Sequence, residues 1–375
     1  METLILEKLQ QKFANLSEFT IIPQAGQSYT YFARDNALKR KVFLKVISLP
    51  DNCEEMVYAE PQKLVDLFQQ EEDSRRYNAI LYSVEKIQVE REDFVVLQTE
   101  FCEGRDLAHF IPKYGLSVEE SLKIAMDICR GTHFLHKIGI VHRDLKPGNV
   151  MVSPGKTKLV DFGSALYIGT DEWKTVNSSK TLLYSPPETL LETKRYSKKS
   201  DLYQIGAILW EMVFGVFDYN RVDDKIKRKV SKSIFGFDST DPFWNSKLDD
   251  YVVCYLAEKA ALYPLLSMSK SYIPSKLMKL MKKAVSFDPS KRYSSCTEFC
   301  AEITSLHVPN WKQESEDLFI VTNWRGKDYR MGYEKKRKER RFFFEESATG
   351  KNTFRRNNSI TDFEKAVNKI NQGSI

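Results

Sequence analysis

Residues 142–163 constrain this chain more than any other stretch. They read His-Arg-Asp-Leu-Lys-Pro-Gly-Asn-Val, then Met-Val-Ser-Pro-Gly-Lys-Thr-Lys-Leu-Val, then Asp-Phe-Gly. Apolar runs at 150–152 and 158–160 flank Ser153-Pro154-Gly155, a turn signal between two strands. A loop carrying Asp144, Lys146 and Asn149 therefore enters a hairpin whose far end presents Asp161. Two carboxylates, an amide and an ammonium gathered in this way suit chemistry on a magnesium-bound phosphate.

Those residues resemble the catalytic loop and metal-binding motif of the eukaryotic-type serine/threonine protein kinases. The resemblance runs unbroken from His142 to Val150 and resumes at Asp161-Phe-Gly163. It implies an α+β, two-lobed kinase fold, with a small β-rich lobe over about 19–102 and a larger helical lobe over about 103–309. It also implies ATP with Mg²⁺ (Mn²⁺ as a substitute) and a protein substrate. Asp144 is then the base that orients the substrate hydroxyl and takes its proton, and Lys146 neutralises the transferred phosphoryl group. Asn149 and Asp161 are the metal ligands, with His142 and Phe162 as packing residues. Lys146 standing two residues after Asp144 resembles the serine/threonine class and not the tyrosine class.

The same resemblance extends downstream. Arg143 is the link to phosphorylation of the loop from Ser164 to Lys180, where Thr170, Thr175, Ser178 and Ser179 are candidate acceptors, including for self-association and autophosphorylation. The segment Thr181-Leu-Leu-Tyr-Ser-Pro-Pro-Glu188 resembles the one that closes this loop, with Thr181 facing Asp144 and Lys146. Asp201 is expected to brace the catalytic-loop backbone. Arg292 in Asp288-Pro-Ser-Lys-Arg is expected to pair with Glu188. Between Phe217 and Ile273 the pattern thins out, leaving a substrate-docking surface or plain lobe structure as alternatives.

Upstream the match is looser. Strand-like runs at Phe19-Thr-Ile-Ile, Ser28-Tyr-Thr-Tyr-Phe-Ala and Lys41-Val-Phe-Leu-Lys-Val-Ile precede a helical pattern from Glu54 to Phe68. Residues 1–18 read as an amphipathic lead-in helix on Leu4, Ile5, Leu9, Phe13 and Leu16. Where the family carries Gly-x-Gly-x-x-Gly to cover the phosphates, this chain has Pro23, Ala25 and Ser28, with Gly26 between them. Small side chains still admit a phosphate, but Pro23 removes a donor, so slower nucleotide handling is expected. Lys45 matches the lysine that pairs with the nucleotide phosphates, and an ammonium on an apolar strand needs a counter-ion. Glu60 is the expected partner; Pro61 beside it disturbs a helix interior, so Glu54 and Glu55 stay open as alternatives. By resemblance Thr99 sits at the back of the nucleotide pocket, Glu100 to Cys102 form the hinge at the adenine, and Asp106 meets the ribose. Ser117-Val-Glu-Glu120 is a capping box opening a periodic helix that ends near Gly139 and delivers the chain to the catalytic loop.

Charge bears on the remainder. The net charge is +6, and the residues from Asn310 onward hold fifteen Lys and Arg against ten Asp and Glu. That asymmetry marks 310–375 as a separate module. Runs at 318–324, 329–333 and 341–344 read as three strands, and 359–370 as a capped amphipathic helix with Phe363, Val367 and Ile370 on one face. Such a strand-strand-strand-helix appendage has three open uses: a nucleic-acid surface, a docking element on the kinase lobe, or a binding site for a regulatory protein. None of the six cysteines forms a Cys-x-x-Cys pair, and Cys296 and Cys300 fit one face of a helix, so reduced thiols are expected. No secretory leader or membrane span is expected: the apolar stretch Ile205 to Phe217 is short and interrupted by Glu211. A cytoplasmic kinase is the reading, against a pseudokinase-type scaffold or sensor motivated by the degenerate phosphate loop.

Overall fold

The structure, a computed structural model, describes residues 1–23, 28–49, 64–65, 72–175, 184–190, 195–215, 228, 272–336, 339–351 and 353–372. The chain divides into two compact units. The first comprises Met1–Asp106, Arg130–Arg143 and Asn149–Asp171, the second Leu107–Cys129, Asp144–Gly148 and Glu172–Ile375.

The first unit is built on an antiparallel sheet. After helix α1 (Glu2–Lys12) come β1 (Leu16–Ile22), β2 (Ser28–Asp35), β3 (Arg40–Ser48), β4 (Leu81–Val89) and β5 (Glu92–Glu100). Their order in the sheet is β1-β2-β3-β5-β4. Period-two alternation along β3 sends Val42, Leu44 and Val46 to one face, where they meet Ile5 and Leu9 of α1, Phe13 and Leu16, and Tyr31 and Val96 of neighbouring strands. The expected lead-in helix is thus a cover for this face, and the Tyr31 hydroxyl donates to the Glu2 carbonyl at 3.1 Å to anchor its first turn. It ends at Lys12, so Leu16 contributes from β1 and not from the helix.

Strand β6 (Arg105–Asp106) follows, then helix α2 (Val118–Lys137) and β7 (Ile140–Val141). The capping box that opens α2 is formed: Ser117 Oγ accepts from the Glu120 amide, and Glu120 Oε2 accepts from the Ser117 amide. Strands β8 (Val150–Ser153) and β9 (Lys156–Leu159) make the expected hairpin, with β6 on its outer edge. Gly155 takes φ 72° in its turn, a conformation that favours glycine. Strand β10 (Leu166–Tyr167) pairs with β7.

The second unit is largely helical. Strands β11 (Lys174–Thr175) and β12 (Arg195–Tyr196) pair, and β12 leads into α3 (Lys198–Phe214). That helix is buried from Ser200 to Phe214. Helices α4 (Ser275–Ala284) and α5 (Cys296–Thr304) follow. Gly206 of α3 packs so closely on α4 that a Cβ there would lie 2.6 Å from that of Ala284. Cys296 and Cys300 lie one turn apart on α5 as free thiols. No described helix is long and apolar enough to cross a membrane.

The C-terminal module belongs to this second unit and is richer than three strands. Between β14 (Leu318–Trp324), β15 (Lys327–Lys336) and β16 (Glu339–Ala348), which match the expected runs, there is no change of order; β13 (Asn310–Ser315) and β17 (Arg355–Arg356) extend the meander to five strands. Helix α6 (Phe363–Gln372) begins later than expected. Its cap is Asp362, whose Oδ1 accepts from the Lys365 amide, while Ser359 bonds instead to Asn357. Trp311 and Trp324 donate their indole N–H groups to Asn371 and the Ile370 carbonyl, which ties the sheet to α6. The module is docked on the lobe that precedes it. Tyr272 packs against Trp311 and Phe319, and Asn310 accepts from the Glu119 amide at 2.9 Å near the start of α2.

Candidate active site

Burial of Val42, Leu44 and Val46 under α1 leaves Phe43, Lys45 and Ile47 on the opposite face of the first sheet. Register adds Thr30, Leu97 and Thr99 to that face, opposite Lys45 or Phe43. Ser28 opens β2 opposite Ile47. Ala25 and Gly26 lie outside the described residues, as do Glu60, Pro61, Glu54 and Glu55. Among the described residues the counter-ion of Lys45 is Asp161, whose two carboxylate oxygens lie 2.5 and 2.7 Å from Nζ.

Asp161 is held by the hairpin. The Val160 amide donates to the Asn149 carbonyl at 3.0 Å, so Asn149 and Asp161 end up together where β8 and β9 open. His142, fully buried, approaches the Val160 carbonyl through Nε2 and packs its ring on Phe162. Both act as packing residues, as expected. Asp161 has φ 64° and Arg143 φ 70°, left-handed conformations that a side chain adopts at some energetic cost. Gly163 donates its amide to Asp161, and a Cβ at Gly163 would stand 3.2 Å from that carboxylate and 3.4 Å from Lys45 Nζ. Burial pushes the Asp161 carboxyl up, but Lys45 and the Gly163 amide pull it further the other way, so it stays below the usual range and is ionised.

Those groups fit a hard divalent cation. No cluster of three or more His, Cys, Asp or Glu that could hold a metal occurs among the described residues. The donor set is instead one ionised carboxylate and one amide oxygen, a set that suits Mg²⁺ sharing its remaining positions with phosphate and water.

At the far end of β5 the structure adds a role the sequence did not suggest. Glu100, expected for its backbone at the adenine, has its carboxylate held by Lys158 of β9 at 2.6 and 2.7 Å and by the Ile80 amide at 3.2 Å. The side chain therefore ties β5 to the hairpin that ends in Asp161. Phe101 packs edge-on to Phe32, giving the Lys45 face an apolar border. The Cys102 thiol is pushed up to about 12 by burial and by Glu100, so it is protonated and unreactive at neutral pH. Asp106 is fixed in β6 opposite Met151.

In the second unit Lys146 Nζ donates to Asp144 Oδ2 at 2.8 Å, which joins the expected base and the expected phosphoryl-neutralising group. Thr181 lies outside the described residues. Just beyond it, the Tyr184 hydroxyl donates to Glu211 of α3 in a short bond. The Glu188–Arg292 pair is formed with both guanidinium nitrogens, at 2.8 and 2.7 Å. Ser200 donates to the same carboxylate, and carbonyls of Ser286, Phe287 and Lys199 accept the remaining Arg292 protons.

Three residues escaped sequence reasoning. Thr30 is buried on the Lys45 face, and among the described residues its hydroxyl has no hydrogen-bond partner. Lys158 looks like any lysine alternating on a hairpin. Gln204 had a visible signal, as the lone amide in the apolar run from Leu202 to Leu209, and its oxygen accepts from the Leu145 amide within the catalytic loop.

Comparison with known proteins agrees with this geometry. The family model of the protein kinase domain matches residues 34–304. A protein of Clostridium perfringens named as a serine/threonine-protein kinase is 26% identical over 309 residues, which is 80% of this chain and 40% of that protein. A Dictyostelium discoideum protein with a name of the same kind is 26% identical over 357 residues, 84% of this chain and 70% of its own length. Sperm motility kinase 3A of Mus musculus is 31% identical over 178 residues, 47% of this chain and 35% of the relative. The chain thus spans well under half of the clostridial and mouse relatives. Matched through both of its catalytic motifs, it belongs to the protein kinase family.

Proposed function

We propose that the protein transfers the γ-phosphate of ATP to serine and threonine hydroxyls of proteins. The observation that carries this reading is the pairing of Lys146 with Asp144 two residues apart, in a chain whose Asp161 is held ionised beside Asn149 and Lys45. Lys45 supplies a positive charge for nucleotide phosphates, and the apolar border of its face suits a flat base. Asn149 and Asp161 would hold Mg²⁺, which when bound neutralises phosphate oxygens. Asp144 orients the acceptor hydroxyl and takes its proton, while Lys146 keeps that carboxylate in place and offsets phosphoryl charge.

Radiolabelled γ-phosphate should appear on the chain itself or on casein and disappear in Asp161→Ala. No transfer at millimolar ATP with either Mg²⁺ or Mn²⁺ would leave a scaffold or sensor as the function. Autophosphorylation is part of the proposal, with exposed Thr170 as a described acceptor. For the C-terminal module the proposed partner is protein. Several of its basic side chains already face carboxylates: Lys327 and Lys369 share Glu346, and Arg330 meets Glu345, Arg340 Asp317 and Arg356 Glu334. Nucleic-acid binding needs free cations whose counterions can be released. The full chain is therefore expected to pass through a single-stranded DNA matrix at 50 mM salt; salt-dependent retention would reverse this assignment.

A further inference from the structure

Leu145 lies between Asp144 and Lys146 and is fully buried. Its amide proton must find an acceptor inside the protein, because a buried donor left unpaired is costly. The acceptor is Oε1 of Gln204, at 3.1 Å. Gln204 itself is 2% exposed and sits on α3 one turn after Asp201.

A second donor converges on the same oxygen. The hydroxyl of Tyr196 lies 2.9 Å from Gln204 Oε1 and 2.7 Å from Asp201 Oδ1, so its single proton is shared between the two acceptors. Leu145 N–H can only donate and so requires an acceptor at this atom, and that fixes which way the Gln204 amide faces. Tyr196 and Asp201 are fully buried as well. The anchor is also rigid, since α3 is buried along most of its length and packs closely against α4 at Gly206. The sequence points to Asp201 as a brace of this loop; Gln204 adds a contact at Leu145, and Asp201 accepts from Tyr196 beside it.

We propose that Gln204 is a positioning residue for phosphoryl transfer, setting Asp144 and Lys146 in place through the backbone of Leu145. The inference rests on the kinase reading above. It predicts an effect on the transfer step and not on nucleotide affinity, because Lys45 and Asp161 belong to other elements.

The test uses the full chain with Gln204→Met, which keeps side-chain volume and removes the acceptor, and Tyr196→Phe, which leaves Oε1 to Leu145. Two quantities are read: hydrogen exchange at the Leu145 amide, and steady-state transfer from ATP to casein or to the chain itself. In Gln204→Met the Leu145 amide should exchange at least about tenfold faster, and kcat should fall about 10–100-fold with KM for ATP held within about twofold, as small misplacements of reacting groups do. Tyr196→Phe should keep Leu145 protected and lose less than about threefold in kcat. Should Gln204→Met fail to fold, Gln204→Asn, too short to reach Leu145, is read in the same way. Unchanged protection in the Gln204 variant overturns the proposal, as does lost protection with normal kcat. Equal losses in both variants, tracking their unfolding midpoints, would make the network merely structural. A wild-type chain that protects Leu145 yet transfers no phosphate would overturn the kinase reading and this inference with it.

Discussion

Arg292 and Glu188 show what a buried charge needs in this lobe. The guanidinium is fully buried, yet each of its hydrogen-bonding nitrogens meets the carboxylate or a carbonyl. Removing one partner leaves the other charged and dry, and Arg292→Met is expected to destabilise the fold by about 3–5 kcal/mol in denaturant titration. A loss under about 1 kcal/mol would mean that water reaches Glu188. Glu298 is the contrasting case at the surface. Lys283 and the side chain and amide of Ser294 all bond its carboxylate and bring its pKa down to about 2 from 4.5. A carboxyl lowered on folding contributes stability above its unfolded pKa and loses it as pH falls through the folded value. Glu298→Gln should therefore cost about 0.5–1 kcal/mol at pH 7, allowing for solvent screening, and only a small fraction of that at pH 2. Thermal unfolding at both pH values checks it. At this scale the charged residues of the motifs were legible because phosphate chemistry admits few residue types. Lys158 and Gln204 were not, since a hydrogen bond between distant segments leaves no period in the sequence.

Among the elements, α1 has a definite task. It covers the face of the first sheet opposite Lys45, with Ile5 and Leu9 fully buried. Leu9→Ala is expected to cost about 2–5 kcal/mol. Chemical denaturation, followed by hydrogen exchange at β3, should show the loss in the sheet. Unchanged protection there would mean that α1 is dispensable cover. The helix was readable from its spacing, but its end was not, since Leu16 continues the apolar pattern from a strand. The module was readable in part for a similar reason. Strands β14 to β16 carry dense apolar and aromatic runs, whereas β13 is polar at every position but Trp311 and β17 has two residues, too few for any pattern. The phosphate loop and the Glu60 helix, where the sequence departs from the family, fall outside the described residues.

For the molecule as a whole, the C-terminal module matters because it is joined to the lobe by contacts of two kinds. Tyr272 is almost fully buried against Trp311 and Phe319, and its carbonyl accepts from Asn371 of α6. Tyr272→Ala should remove about 3–5 kcal/mol and split one calorimetric transition of the lobe and module into two. A single shifted transition would show that the remaining contacts suffice to couple them. The second contact is polar: Asn310 takes the Glu119 amide and donates to the Glu119 carboxylate, 191 positions away in the chain. The helix that leads to the catalytic loop is thus finished by a residue that the ribosome adds much later. At about 5–20 residues per second, the delay is roughly 10–40 s. During that interval water serves the exposed Glu119 amide in place of Asn310, and closure over so long a stretch favours slow folding. The contact between the start of α2 and the appendage is therefore among the last that synthesis allows to form.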